Sequence, residues 1–509
     1  MSYTPNSGRV LKNTVILYLR MALMMCISLY TSRVVLQTLG VEDYGIYNVV
    51  GGVVVMFSFL NDGMTVSTLR FLTFELGRGD AKRLNEIFVT SLHVHLIISA
   101  IIVFLSETVG LWFMLNELVI PAERHVAAMW CYQLSIFTAV VSIMSYPYNA
   151  AIVAHEKMSA FAYISILDAI LKLLLVYLLL VFDMDRLILY AVLFACEKLL
   201  IRMVYNLYCT RHFEECHYRW VHNKALFRQM STFAGWSMWG NLAAVGFTEG
   251  LNFLLNIFFG PIVNAARAVA IQVQGAVSQL ARNFQMAINP QITKTYASGQ
   301  RDEMHTLIFR GTRFTFCLLL LLCLPIFVEA PMLLELWLKD VPEHSVMFLR
   351  LILIVMLVDH STNPLAIAVN STGNNKKYEF VNGTIMLMTV PVAYCVLHEG
   401  GAPWSVFAVY LIVAFIASIV RFFIAASLIN LSVKAYLSKA IGRCLLVLLL
   451  SCVAPIAISQ LVGTGIIDKL IIFAVTFAFT GIMCFVVGLD QEERVMILSK
   501  LTKKKRLTN

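Results

Sequence analysis

Charged side chains are what this sequence has least of. Only 14% of its 509 residues are Asp, Glu, Lys or Arg, whereas soluble domains carry about 25%. Apolar residues make up 59% of the chain, and the mean hydropathy is +0.78. So little charge all but excludes a soluble enzyme, a nucleic-acid-binding protein and a disordered scaffold. The composition instead predicts a protein that crosses a lipid bilayer many times.

The sequence also lacks long polar segments and paired extracellular cysteines. No loop is long enough to hold a folded soluble domain, and no outward loop carries two of the 11 cysteines. We therefore expect no disulfide framework. One cytoplasmic loop is rich in Cys and His, but its spacing matches no standard zinc pattern. We predict no metal site there; the residues are Cys209, His212, Cys216 and His217.

Long apolar runs recur along the whole chain. A helix needs about 20 residues to cross a hydrocarbon core of about 30 Å, and fourteen stretches qualify. Numbered in chain order, these spans are 13–37, 44–66, 88–106, 125–146, 160–182, 186–209, 231–258, 262–288, 308–328, 346–370, 380–397, 404–430, 441–461 and 466–488. No cleavage-site pattern precedes span 1, so we expect that span to be kept. The predicted class is an all-α polytopic membrane protein.

Basic residues fix the predicted orientation. With the N-terminus in the cytoplasm, 26 of the 39 Lys and Arg fall on the cytoplasmic side, six on the opposite side and seven within spans. Such an asymmetry predicts that both termini are cytoplasmic. The net charge of +9 is therefore mostly a topology signal, and we predict no nucleic-acid partner. Anionic membrane lipids are the expected neighbours of the basic tail.

An internal repeat relates the two halves of the chain. At an offset of about 220 residues, Leu39-Gly40 after span 1 matches Phe259-Gly260 after span 7, and Gly79 matches Gly299. Six spans thus repeat as six spans in the same orientation, as in parallel transporter repeats. We predict three parts: a six-helix lobe at 1–215, a second six-helix lobe at 216–433, and two further spans with the basic tail at 434–509.

Polar side chains concentrate in a few spans, although such groups are costly in a membrane. In span 8 they share one helical face, and span 7 is rich in amides. We predict that they line a hydrated cavity between the two lobes, together with span 2 and part of span 1. The amide candidates are Asn241, Asn252, Gln272, Gln279 and Asn283.

Ionisable residues within the spans are the other candidates. Arg282 lies beside the polar stripe of span 8, and Arg70 lies at the inner end of span 2. Arg20 lies deep in span 1, whereas Arg33 is near the outer end, where it could also snorkel to the headgroups. Three deep carboxylates could carry a proton, bind a cation or simply pair with an arginine: Asp62, Glu249 and Asp359.

Several segments resemble one family of transporters. Gly40-Val-Glu-Asp-Tyr-Gly-Ile-Tyr-Asn48 is similar to a signature that follows span 1 in polysaccharide transporters. The segment from Met64 to Phe71, and the segment from Pro147 to Met158, are in the style of the same family. The chain thus resembles the Wzx-type polysaccharide and O-antigen flippases. These belong to the multidrug/oligosaccharidyl-lipid/polysaccharide (MOP) exporter superfamily.

The resemblance implies a fold, a substrate and a location. The fold would be a two-lobe transporter of the MATE type in the bacterial inner membrane. The substrate would be an undecaprenyl-diphosphate-linked oligosaccharide, a repeat unit of O-antigen (lipopolysaccharide), capsule or exopolysaccharide, moved to the outer leaflet by alternating access. No cofactor is implied; coupling to H⁺ or Na⁺ stays open. Membrane lipids and other polysaccharide-assembly proteins would be the partners.

The resemblance also implies roles for residues, by span rather than by motif. Related lipid II flippases use arginines on spans 1, 2 and 8 in a cationic cavity, where this chain has Arg20 or Arg33, Arg70 and Arg282. Multidrug exporters of the superfamily can place a cation between acids on spans 7 and 10, where this chain has Glu249 and Asp359.

Two other functions compete with this interpretation. A MATE-type, cation-coupled multidrug exporter would need a cavity dominated by carboxylates and aromatic rings, and the arginines argue against it. A membrane glycosyltransferase or polymerase would need a long outer loop carrying acid and base residues, and none is present. We therefore predict a transporter and not an enzyme.

Overall fold

A computed structural model describes residues 25–495 apart from positions 79, 156, 183, 221–222, 373–375 and 464. Within this part every regular element is helical and no strand occurs. The predicted all-α class is confirmed. Two compact units are present, Met1–Ala265 and Ala266–Asn509. The three-part division at 215/216 and 433/434 stays a prediction.

The helices follow one another with short connections. Up to residue 260 they are α1 (25–39), α2 (Val41–Val55), α3 (Phe59–Arg78), α4 (Ala81–Leu105), α5 (Leu111–Asn116), α6 (His125–Ile143), α7 (Tyr146–Ala154), α8 (Met158–Leu178), α9 (Arg186–His212) and α10 (Lys224–Phe259). After it they are α11 (Pro261–Ala297), α12 (Arg301–Val328), α13 (Ala330–Leu338), α14 (Ser345–Ser361), α15 (Asn363–Ser371), α16 (Lys376–Leu387), α17 (Thr389–His398), α18 (Ser405–Ile429), α19 (Val433–Tyr436), α20 (Gly442–Ser451), α21 (Val453–Ser459) and α22 (Ile466–Met483).

Helix is present at every predicted span. Within the described residues, 11 helical stretches are long and apolar enough to cross a membrane. The helices at spans 6 and 8, α9 and α11, have 27 and 37 residues; their polar side chains keep them out of that set, and span 1 lies partly outside the described residues. A count of about fourteen spans agrees with this pattern, and the protein is a multi-pass membrane protein.

Two predicted spans are broken rather than continuous. In span 4, α6 ends at Ile143 and α7 begins at Tyr146; in span 10, α14 ends at Ser361 and α15 begins at Asn363. A proline lies in the first turn of each second segment, where its missing N–H costs nothing. The two halves of the chain therefore break the same helix of the repeat.

The same glycine turn also begins span 2 and span 8. Gly40 and Gly260 have φ values of 83° and 79°, and a helix starts at the next residue in each case. Only glycine adopts such angles readily. Within the first unit, a Cβ on Gly45 would lie 1.9 Å from the carbonyl oxygen of Pro261, so the glycine of the signature segment is required by close packing.

An arginine links the first turns of three helices in the first unit, α2, α6 and α9. Arg124 donates to Asp43 Oδ1 and Oδ2 at 2.7 and 2.5 Å, and to Asp185 Oδ2 at 2.6 Å. Burial by itself would raise the pKa of Asp185, but the hydrogen bond and charge of Arg124, together with the backbone N–H groups of Leu187 and Ile188, outweigh burial and lower the pKa. Asp43 belongs to the signature segment, so that segment helps to hold the unit together.

A second ion cluster holds the segment after α22 against α12 in the second unit. Arg313 is 3% exposed, and its Nη2 donates to Asp490 Oδ2 at 2.6 Å and Glu493 Oε1 at 2.9 Å. Arg310 lies 3.0 Å from Glu493, and Arg443 pairs with Asp490. The carboxylates that neutralise a buried arginine of span 9 therefore come from beyond span 14.

Candidate substrate-binding residues

The polar stripe predicted for span 8 lies on α11. Arg282 is exposed, and its Nε and Nη2 donate to the amide oxygen of Gln279 at 3.2 and 2.8 Å. Its Nη2 also lies 3.4 Å from the carbonyl oxygen of Gly275. Gln279 is exposed as well, and Gln272 is half-buried. Since Gln279 and Gly275 are neutral, they orient the guanidinium without cancelling its charge.

Arg282 differs in this respect from two buried arginines of the second unit, Arg313 and Arg421. Arg313 pairs with two carboxylates, and Arg421 pairs with Asp359. Arg282 forms no ion pair with any residue in the described part of the chain. A cation that keeps its charge uncompensated beside a membrane can bind an anion, and a guanidinium fits phosphate through paired donors.

The other predicted cavity residues are spread over several helices. Arg33 is half-buried on α1, Arg70 is exposed on α3, and Asn241 is half-buried on α10. Helix α3 continues to Arg78, so Arg70 lies within a continuous helix and not in a loop. Arg20 and the side chains of Asp62 and Asn283 lie outside the part that the structure describes.

Glu249 and Asn252 belong to a polar network in the first unit. The Nδ2 atom of Asn252 lies 3.2 Å from Glu249 Oε2 and 3.4 Å from the carbonyl oxygen of Asn48. Asn264 Nδ2 donates to the backbone and side-chain oxygens of Asn252 at 2.7 and 2.8 Å. Asn252 is only 3% exposed. These contacts give Asn252 a packing role between α2 and α10, and they place Glu249 at the edge of the same network.

Asp359 is held by an arginine at the break in span 10. Arg421 on α18 donates to Asp359 Oδ1 at 2.5 Å and to Thr362 Oγ1 at 3.2 Å. His360 Nδ1 lies 3.7 Å from Asp359 Oδ2. Arg421 is 6% exposed. Of the three uses open to this carboxylate, the structure shows the pairing with an arginine.

A cluster of charged side chains joins α8 and α9. Asp168 and Lys172, spaced i, i+4 on α8, form an ion pair at 2.6 Å. Lys198 on α9 lies 3.0 Å from Asp168 and 3.2 Å from Glu197. Asp168 thus bridges two helices. The pairing of Lys198 with Asp168 has no signal in the sequence, because the two residues are 30 positions apart on different helices.

Solved structures of transporters share this fold. An inward-closed structure of the lipid II flippase MurJ matches 92% of this chain and 99% of its own, with a TM-score of 0.68 and 10% identity. An inward-facing multidrug resistance transporter of the MATE family and MOP superfamily matches 80% of this chain and 94% of its own, with a TM-score of 0.63 and 15% identity.

A third similar structure is a MOP superfamily transporter from Pyrococcus furiosus, with a TM-score of 0.55, 15% identity, and coverage of 82% of this chain and 95% of its own. No protein-family model matches the sequence, and no curated protein sequence matches it. At such low identities the similarity is one of fold: this chain has the fold of MATE and MurJ transporters.

Proposed function

We propose that the protein flips an undecaprenyl-diphosphate-linked oligosaccharide from the cytoplasmic to the outer leaflet of the bacterial inner membrane by alternating access. The observation that carries the proposal is Arg282, an exposed arginine oriented by Gln279 and paired with no carboxylate in the described residues. A diphosphate would supply a negative charge and a pair of acceptor oxygens, which no described carboxylate supplies to this guanidinium.

The position of Arg282 along α11 suits a lipid-borne diphosphate. It lies 21 residues into a helix that starts at Pro261, which corresponds to about 32 Å of helix rise, roughly the thickness of the hydrocarbon core. In the predicted orientation, α11 runs from the outer surface inward, so Arg282 lies near the level of the inner headgroups. A diphosphate of the inner leaflet is at that level before it is moved.

The glycan and the lipid tail need different surroundings. Amides such as Gln272 and Gln279 suit sugar hydroxyls, because each amide offers both donors and acceptors. The tail needs only apolar contact, and the second unit has an apolar groove of about 460 Å³. Its lining includes Phe316, Leu357, Phe415, Phe422, Leu445 and Leu448.

The test is the export of surface glycan in cells that lack the native protein. Arg282→Ala should abolish most export at an unchanged protein level, and Arg282→Lys should restore part of it, because lysine keeps the charge but not the paired donors. Arg228→Ala is the matched control: Arg228 is an exposed arginine of α10 that we assign to topology. Export by the Arg282→Ala protein equal to that of the control would refute the role of Arg282.

The competing function is a cation-coupled multidrug exporter, which shares the fold. It would require Asp359 to bind a cation, but Arg421 already supplies a positive charge at 2.5 Å. A deletion strain decides between the two functions. A flippase mutant accumulates lipid-linked oligosaccharide and keeps its drug resistance, whereas an exporter mutant becomes sensitive to cationic drugs and accumulates no glycan.

A further inference from the structure

The first unit contains a cavity of about 280 Å³ among α2, α3, α4, α6 and α9. Pockets for drug-sized ligands start at roughly 300 Å³, so this one suits a smaller group. One edge of the lining is open, since Val55 and Tyr146 are 49% and 37% exposed. Its polar lining is provided mainly by hydroxyl and amide side chains, and its apolar lining includes three aromatic rings, from Tyr47, Tyr146 and Phe194.

Several polar groups of this lining have no protein partner. The hydroxyls of Ser58, Thr138 and Ser142 make no hydrogen bond with any described residue. Asn61 is 2% exposed, and its Oδ1 is buried without a partner in the described part of the chain. Buried polar groups are normally satisfied. Here one buried amide oxygen, that of Asn61, and three half-exposed hydroxyls without a partner among the described residues surround one cavity. This set suits a ligand with several hydroxyls, which can both donate and accept hydrogen bonds.

The charges at the cavity wall cancel. Lys198 lines the cavity, but its ammonium lies 3.0 Å from Asp168 and 3.2 Å from Glu197. Lys172 lies 2.6 Å from the same Asp168. Two carboxylates thus face two ammonium groups. A phosphate would find no unused cation here, and an organic cation would find no unused carboxylate, so a neutral ligand is favoured.

From these observations we infer that the cavity binds one neutral sugar residue of the lipid-linked glycan. Unpaired hydroxyls and an amide would bind its hydroxyl groups, and the aromatic rings would pack against its apolar face. This inference rests on the proposed function and adds to it a sugar subsite separate from the arginine that takes the diphosphate. The subsite would give the protein its preference for one glycan over another.

A larger side chain at Gly51 would fill the cavity. It lines the cavity, and a Cβ at this position would meet no atom within 4 Å. The Cβ of Gly51→Leu would therefore lie in open space, and the rest of the leucine side chain should occupy the cavity. Thr138→Val removes one unpaired hydroxyl at nearly constant volume. Thr108→Val is the matched control, because Thr108 is exposed and its hydroxyl donates to the carbonyl of Phe104 on its own helix.

The binding probe is the lipid-linked oligosaccharide extracted from cells that lack this protein, with undecaprenyl diphosphate as the sugar-free reference. Purified full-length wild-type protein should bind the sugar-bearing lipid more tightly than the reference. Thr138→Val should reduce that preference roughly three- to tenfold, the worth of about one hydrogen bond. Gly51→Leu should reduce it at least tenfold, and Thr108→Val should not change it. Affinity for undecaprenyl diphosphate should stay constant in all three variants.

The outcomes separate this inference from the proposed function. If the deletion cells accumulate no lipid-linked oligosaccharide, the proposed function fails and the subsite fails with it. If the lipid accumulates but Gly51→Leu keeps the full sugar preference, the flippase assignment stands and the subsite is refuted. Melting temperatures of the variants within about 2 °C of the wild type would show that a lost preference does not come from unfolding.

Discussion

Arg421 neutralises a carboxylate inside the second unit, and removing it should be costly. In Arg421→Ala, Asp359 would lose a partner at 2.5 Å while remaining among helices α14 and α18. Removing one member of a buried ion pair costs about 3–5 kcal/mol, because the other charge is left uncompensated. For a folded unit of this size, 1 kcal/mol corresponds to about 2 °C in melting temperature. The side chain of Asp359 is 26% exposed and stays partly hydrated, so this range is an upper bound and we expect a decrease of at most about 6–10 °C.

The assay is thermal unfolding of the purified protein in detergent, followed by loss of the monodisperse peak in size-exclusion chromatography. Arg228→Ala serves as the control for loss of an exposed arginine and should melt with the wild type. The double variant Asp359→Leu/Arg421→Leu removes both charges and should recover most of the stability, because apolar side chains can replace a buried pair.

Two results would refute this reasoning. One is an Arg421→Ala protein that melts within about 1 °C of the wild type, and the other is a double variant as unstable as the single one. The double variant also tests the use of Asp359 in transport. If the carboxylate serves only Arg421, the double variant should export glycan near the wild-type level; loss of export by a stable double variant would return Asp359 to the ion-coupling residues.

Three further predictions concern the ion clusters and the packing of the first unit. Arg124→Ala removes the hydrogen bonds to Asp43 and Asp185 and should cost roughly 2 kcal/mol, measured as a lower melting temperature, whereas an unchanged value would mean that the cluster contributes nothing. The hydrogen bond from Arg313 lowers the pKa of Asp490 to about 2. The stabilisation that ionised Asp490 gives to the contact with α12 is therefore complete above about pH 4 and is lost as the pH falls through about 2. A spin label at Glu492→Cys should stay immobile at pH 4 and become mobile near pH 2. Asp490→Asn should make the same label mobile at pH 7. Gly45→Ala should reduce the amount of folded protein in the membrane, because its Cβ would lie 1.9 Å from Pro261 O; normal levels would contradict the close packing.

The sequence predicted what depends on local composition. Apolar runs located the spans, and the repeat placed equivalent glycines at residues 40 and 260. Arg282 was selected because it lies beside the polar stripe of span 8, and the structure shows it hydrogen-bonded to one amide of that stripe, Gln279.

Other features depend on contacts between distant segments. Asp359 and Arg421 are 62 residues apart, and no periodicity relates two residues on different helices. Hydropathy also ended span 2 at residue 66, although α3 continues to Arg78, because polar residues can be helical beyond the hydrocarbon core. The break in span 10 was missed for a related reason: Pro364 marks the site, but proline is also tolerated in the first turn of a helix.

The ion cluster around Arg313 bears on how this protein can be shortened. The last two predicted spans lie outside the repeat, so the repeat alone would suggest that they can be removed. Yet Asp490 and Glu493, which follow those spans, neutralise an arginine that is 3% exposed on α12. A chain cut before residue 434 would keep that arginine and lose both carboxylates. Minimal versions of the protein therefore need either the last two spans or an apolar replacement for Arg313.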